Sequence, residues 1–591
     1  MRSLPSFPRA ALALACALVL VQGAHAQTEP ATPAANSSLN EPLFYQLLLG
    51  ELALRSGEPG NAYQIFLDAA RKTRDEALFR RATEAALEAR SGEMALAATQ
   101  AWRTALPDSI EAVRYQLHLL IGLNRPGDTV EPLRTLLKLT PKAERPAVIL
   151  SLPRLYDRNP DKTQSAQRLE QVLQPSLTAP ETRMAAQVAL GYAWLSAGDT
   201  KKALGYAQSA HALDTSAVAP ALLGLELMAT TPAAEAIVTA HLQAKPDSTS
   251  IRLVYARALT TAQRYADAVP QLQAVTLTDK PPAGAWLSLG ALHLELKHPK
   301  EATTVLNQYL QRLQAGTLAP AVPDEDDDND PSTPADQGLT QAYLMLSRAA
   351  EQQGDYPGAE AWLAKVTNPQ RALDVQSQRA SMLAKKGKIK EARELIRRTP
   401  EKTAEDVRAK LLAEAQLLRD VKQWKEANEV LASANQKFPN DADLLYEQSM
   451  MADKLNQVDE MEKLLRRAME IKPDHHHAYN ALGYALAERN LRLPEARELI
   501  KKALELAPGE PFITDSLGWV EYRMGNREEA LRLLQQAYKS RPDVEIGTHL
   551  GEVLWVSGQR DEARRVLRDV NSKDNANEVL KETLARLRVD L

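Results

Sequence analysis

The 591-residue chain holds one cysteine, Cys16, so no disulfide framework can brace it. Aromatic residues make up only 5% of it, a scarcity that suits close helix packing rather than sheets. No Gly-x-Gly-x-x-Gly turn, no phosphate-binding P-loop and no Gly-x-Ser-x-Gly elbow occurs, which removes the common nucleotide-binding and acyl-transfer motifs. Nor does a basic stripe: the formal net charge is −4, whereas nucleic-acid binding calls for clustered Lys and Arg. Long apolar runs are also missing. The longest, Ala10 to Val21, has 12 residues, too short to span a bilayer.

What is present is a period. Between Asp443 and Asp569, Leu482-Gly483 is followed by Leu517-Gly518 and then by Leu550-Gly551. After the break near residue 330, small anchors fall at Ser347, Ala380, Ala415, Ser449, Gly483, Gly518 and Gly551, 33 to 35 residues apart. A second series follows each of them: Ala359, Ala392, Ala427, Met461, Ala496, Ala530 and Ala563. Glycine inside a helix costs roughly 0.5–1 kcal/mol relative to Ala, so a recurrent one implies close approach of a partner helix. Three units open on Pro473-Asp474, Pro508-Gly509 and Pro542-Asp543; proline ends one hairpin and the next residue can cap the following helix. A single hairpin buries too little apolar surface, so neighbours must stack.

This pattern resembles the tetratricopeptide repeat (TPR) family, most fully at Trp286-x2-Leu289-Gly290…Ala302. The resemblance implies an all-α solenoid of helical hairpins, a superhelix of roughly 10–15 repeats. It also removes the three or four globular domains that the length alone would suggest. The signature residues are packing residues, and no catalytic constellation accompanies them. An enzymatic activity, a cofactor and a metal site are therefore not expected. His475-His476-His477 does not change this, because consecutive helical residues point about 100° apart and cannot converge on one ion.

The first 26 residues read as a signal peptide. Arg2 and Arg9 precede the apolar run, and Ala24-His25-Ala26 forms a cleavage site that leaves Gln27 first. Cys16 is either an ordinary residue of that run or a lipidation site; Leu14 stands two rather than three positions before it. The expected location is periplasmic, with attachment to the outer membrane only through lipidation. Residues 27–38 form a flexible leader and 39–314 an N-terminal array whose signature fades between 75 and 180. Residues 315–338 form a break in which six acids between Asp324 and Asp330 sit among four prolines, too charged to pack. A regular array follows over 339–570 and a capping helix over 571–591.

In the TPR family, first-helix residues flanking the small anchor line an inner protein-binding groove. Carried onto this chain, they are His477, Asn480 and Tyr484, then Asp515, Trp519 and Tyr522, then Thr548, Glu552 and Trp555. The same aromatics could instead pack between repeats, and Glu521, at a position expected to be apolar, leaves the helix rotation open. The overall layout is similar to the envelope TPR lipoproteins that act as adaptors for PDZ-type carboxyl-terminal processing proteases. That likeness implies a non-enzymatic scaffold that holds protein substrates, such as cell-wall hydrolases, for the protease. The alternative is a scaffold for envelope assembly, such as polysaccharide or pilus export.

Overall fold

A computed structural model describes residues 40–319 and 334–591. The expected signal segment with Cys16, Ala26 and Gln27, the expected leader, and most of the acidic break lie outside the described residues. Within them there are thirty-one α-helices and no strand. Taken two at a time, these helices make fifteen hairpins and one terminal helix, Glu578–Leu587. The fold is an all-α helical-repeat solenoid. Its chain divides into two compact units, one ending at Leu139 and the other running from Thr140 to Leu591. The division thus falls inside the stretch that the sequence reads as one N-terminal array. No described helix is long and apolar enough to cross a membrane.

Most hairpins turn where the first helix runs out into a left-handed residue. Gly57, Gly198, Gly354, Gly387, Gly525 and Gly558 take φ between 77° and 90° there, a conformation glycine adopts without a Cβ clash. In other hairpins Asn124, Lys297 and Asn456 occupy the same place at φ 55° to 59°. The turn after His476–Glu488 holds two left-handed residues, Asn490 and Arg492. Proline-adjacent caps are only partly as expected. Asp543 accepts a hydrogen bond from the Glu545 N–H, but the other two caps sit one residue later. His475 Nδ1 accepts from Ala478 N–H at 3.2 Å, and Glu510 accepts from Phe512 N–H. The histidine cluster therefore starts a helix.

All seven small anchors of the regular array are buried, and so are the seven residues of the second series. The reason for glycine is visible in what a methyl group would meet. A Cβ on Gly483 would lie 2.8 Å from the Ala496 carbonyl oxygen and 2.5 Å from Ile500. On Gly518 and Gly551 it would strike Leu534 and Leu567. So the second-helix Ala lets the helices approach, and an aliphatic side chain one turn later fills the space above the glycine. First helices of successive hairpins also pack on one another, as Pro511–Arg523 does on both His476–Glu488 and Val544–Val556.

Candidate protein-binding surfaces

The C-terminal stripe expected to line an open groove is instead mostly interior. Trp519 is only 2% exposed. Its indole Nε1–H donates to Glu488 at 2.7 Å, and its ring stacks on His549 with centroids 4.3 Å apart. His549 in turn lies 2.9 Å from an Asp515 carboxylate oxygen and 3.4 Å from the Tyr484 hydroxyl. Thr548 is fully buried and donates its hydroxyl proton to the Val544 carbonyl. Glu552 is buried under Arg586 of the terminal helix, which donates to both of its oxygens at 2.6 and 2.7 Å. The open-stripe expectation is thus corrected for Asp515, Trp519, Thr548 and Glu552. The physical cause is the direct packing of three successive first helices, which satisfies these polar groups among themselves.

The remaining members differ. His477 is exposed, while Asn480, Tyr484, Tyr522 and Trp555 are half-buried. Tyr522 donates to Glu552 at 3.4 Å, and Arg560 and Arg564 both lie over the Trp555 ring at 5.2 and 5.3 Å. Burial, reinforced by Glu488 and Asp515, pushes the Tyr484 phenol far above its ordinary range. Glu521 is buried as well, neutralised by Arg497 at 2.6 Å and bonded by the Asn526 amide. As a set these residues form a hydrogen-bonded inter-repeat seam with a half-open edge.

Two surfaces that sequence reasoning missed are more open. In the first unit, the helix Glu41–Arg55 leaves Phe44, Tyr45, Leu48, Leu49 and Leu52 between 43% and 58% exposed among the described residues. Its sequence carried the signal: apolar residues run almost all the way round it, although only one side meets the helix Pro59–Thr73. In the second unit, a cavity of about 490 Å3 opens between the segments Arg145–Ser151, Leu152–Tyr156, Lys162–Thr178, Arg183–Ser196 and Val218–Met228. Leu150, Pro153, Leu195 and Leu222 form much of its wall, and Arg154, Lys162, Asp157, Glu226 and Tyr192 are among its polar groups, with the Lys162 ammonium donating to the carbonyls of Tyr156 and Asp157. Burial pushes the Tyr192 phenol up to about 12, with Glu226 adding to the shift, and raises the Glu226 carboxyl. A smaller cavity of about 380 Å3 surrounds Glu414. Its central charges are used internally: Arg393 and Arg397 pair with buried Glu414 at 2.7 and 2.6 Å, and Lys410 donates to the carbonyls of Arg397 and Thr399.

Tetratricopeptide repeat models match residues 253–317, 458–511 and 516–576, and another matches residues 340–365. Those stretches carry the tetratricopeptide repeat, a module of protein–protein interaction. A TPR repeat-containing protein of Pseudomonas aeruginosa is 36% identical over 211 residues, which cover 36% of this chain and 36% of that one. The match spans little more than a third of that relative's length. Among solved structures, a thermophilic TPR protein of Thermus thermophilus is 21% identical, covering 31% of this chain and 98% of its own, with a TM-score of 0.29. A tetratricopeptide repeat protein of Parabacteroides merdae is 15% identical, covering 42% and 99%, with a TM-score of 0.34.

Proposed function

We propose that this chain is a non-enzymatic scaffold of the cell envelope that holds protein substrates and delivers them to a carboxyl-terminal processing protease of the PDZ type. One observation carries the reading: the repeat frame offers two separate apolar surfaces that no described residue covers. An adaptor must engage two proteins at once, and linking two binding events raises the effective concentration of one partner beside the other. The exposed face of Glu41–Arg55 and the cavity beside Tyr192 are such surfaces. The signal-peptide pattern at residues 1–26 supports an envelope location, and the layout of degenerate and regular repeats supports the adaptor role. Cell-wall hydrolases fit as substrates, since a periplasmic protease would meet them there.

Affinity capture from envelope extract with the full chain tests this. A serine protease together with its substrates is the expected catch. Recovery of polysaccharide- or pilus-export components in their place would replace the adaptor reading with an assembly scaffold.

A further inference from the structure

The helix Glu41–Arg55 presents a face that the repeat fold does not use. A helical-repeat array needs a polar outer face where it ends, and the last helix, Glu578–Leu587, meets this with exposed Glu578, Lys581 and Glu582. The first described helix does the opposite. Phe44, Tyr45, Leu48, Leu49 and Leu52 stand open on it, and by helical geometry they fall within about 140° of its circumference. Glu41 and Arg55 lie on the same arc, one at each end of the helix, and both are exposed. Among the described residues neither forms an ion pair. Arg55 does feel the Glu51 carboxylate, but Arg81 already holds that group with bonds of 2.8 and 2.9 Å.

We propose that this face pairs with the same face of a second copy of the chain, the two helices running antiparallel about a two-fold axis at Leu48. An interface of this symmetry must be complementary to itself, and the spacing meets that condition. Glu41 and Arg55 each lie seven residues from Leu48, and Phe44 and Leu52 each lie four. Antiparallel pairing therefore sets Glu41 of one copy against Arg55 of the other, twice, with Phe44 against Leu52 and Leu48 against itself. Parallel pairing would set like charges together. A membrane surface fits less well, because anionic lipid attracts Lys and Arg and this helix carries one base against two acids. A fully covered aromatic side chain buries about 150–250 Å2, so the five half-exposed side chains offer roughly 450 Å2 per copy. Twice that area falls short of the about 1,200 Å2 at which stable interfaces begin, so the pair is transient. The pairing stands apart from the scaffold reading; where both hold, a protein partner competes with the second copy for this face.

Sedimentation velocity of the purified full chain tests this. Wild type should run as a monomer at about 1 µM and shift toward a dimer by about 100 µM, the span expected of so small an interface. Leu48→Glu, at an exposed position, sets two carboxylates at the axis and should weaken pairing about tenfold or more. Glu41→Arg sets arginines together at both ends and should weaken it about fivefold. Glu41→Arg combined with Arg55→Glu should restore it, since the exchanged face is again complementary to itself. The exchange opposes the helix dipole, and circular dichroism confirms equal helix content in every variant. A wild type that stays monomeric at about 100 µM overturns the proposal. So does a dimer that survives Leu48→Glu, or a double variant that pairs no better than Glu41→Arg. Vesicles of phosphatidylglycerol and phosphatidylethanolamine that retain wild type but not Leu48→Glu, with no dimer formed, would give the face to a membrane instead. Capture from envelope extract is read separately. Proteins caught by a chain that never dimerises would leave the scaffold standing without this pairing, whereas a dimer that catches no protein would remove the scaffold alone.

Discussion

His549 and Asp515 stand at corresponding depths of successive repeats, and their buried side chains meet at 2.9 Å. Burial disfavours a charged imidazole, but the Asp515 carboxylate, with Glu488 and Glu545 nearby, outweighs it and raises the His549 pKa. The charged ring then donates Nδ1–H to Asp515 and Nε2–H to the Tyr484 hydroxyl, with Trp519 stacked on its face. A group whose pKa is raised by folding stabilises the fold fully below its unfolded value, about 6.5 for His, and that contribution is lost as pH rises through the folded value. Melting temperatures of wild type and His549→Gln should therefore differ more at pH 6 than at pH 9. A gap that stays constant or widens with pH would show that the histidine is neutral.

Trp519 should behave as core. Trp519→Ala removes a buried ring, its hydrogen bond to Glu488 and its stack on His549, a loss of roughly 3–5 kcal/mol for a large-to-small change. The thermal transition of the C-terminal repeats should fall accordingly. Partner capture per folded molecule should be unchanged. A stable variant with weakened capture would return Trp519 to a binding role.

The repeat frame was readable because its anchors are imposed by geometry. Only small residues allow the approach seen at Gly483, and only certain residues tolerate the left-handed turn at Gly525. Where the signature fades, chemistry had substituted for size. Thr83 lies 33 residues after Gly50 and Thr99 lies 33 after Phe66; both are fully buried, with hydroxyls bonded to Phe79 O and Leu96 O of their own helices. A hydroxyl that satisfies itself in this way can replace an apolar group, and the pattern disappears from the sequence. The seam was misread for a related reason. Asp515, Glu521 and Glu552 look like surface residues until Arg497, Arg586 and His549 are brought to them from other helices. Helix rotation decided burial, and the sequence left it open.

Two glycines in helices should respond oppositely to alanine. Gly205→Ala meets no atom within 4 Å, so the gain in helix propensity of roughly 0.5–1 kcal/mol should appear as added stability. Gly483→Ala places its methyl 2.8 Å from the Ala496 carbonyl. That oxygen belongs to the backbone and cannot step aside. Overpacking of this kind costs about 1–3 kcal/mol, more than the propensity gain, and the melting temperature should fall. Equal stabilisation by both changes would mean that helix spacing in this hairpin is not set by the glycine.

Arg586 should add to the apolar packing of Leu580 in holding the terminal helix in place. Arg586 reaches from Glu578–Leu587 to Glu552, whose side chain is only 1% exposed. Arg586→Ala would leave that carboxylate buried, with the 3.4 Å contact from Tyr522 as its other hydrogen bond. Hydrogen bonds to a charged group are worth about 1.5–3 kcal/mol, and the exposed half of Arg586 places the effect at the lower end. Amide exchange should quicken in Glu578–Leu587 and Val544–Val556 while the repeats before residue 440 stay protected, because solenoid units are coupled mainly to their neighbours. A buried ion pair can often be replaced by apolar residues without loss. Glu552→Leu combined with Arg586→Leu should accordingly recover most of the protection that Arg586→Ala removes. If the double variant exchanges faster than the single one, the pair is needed for more than neutralising a buried charge.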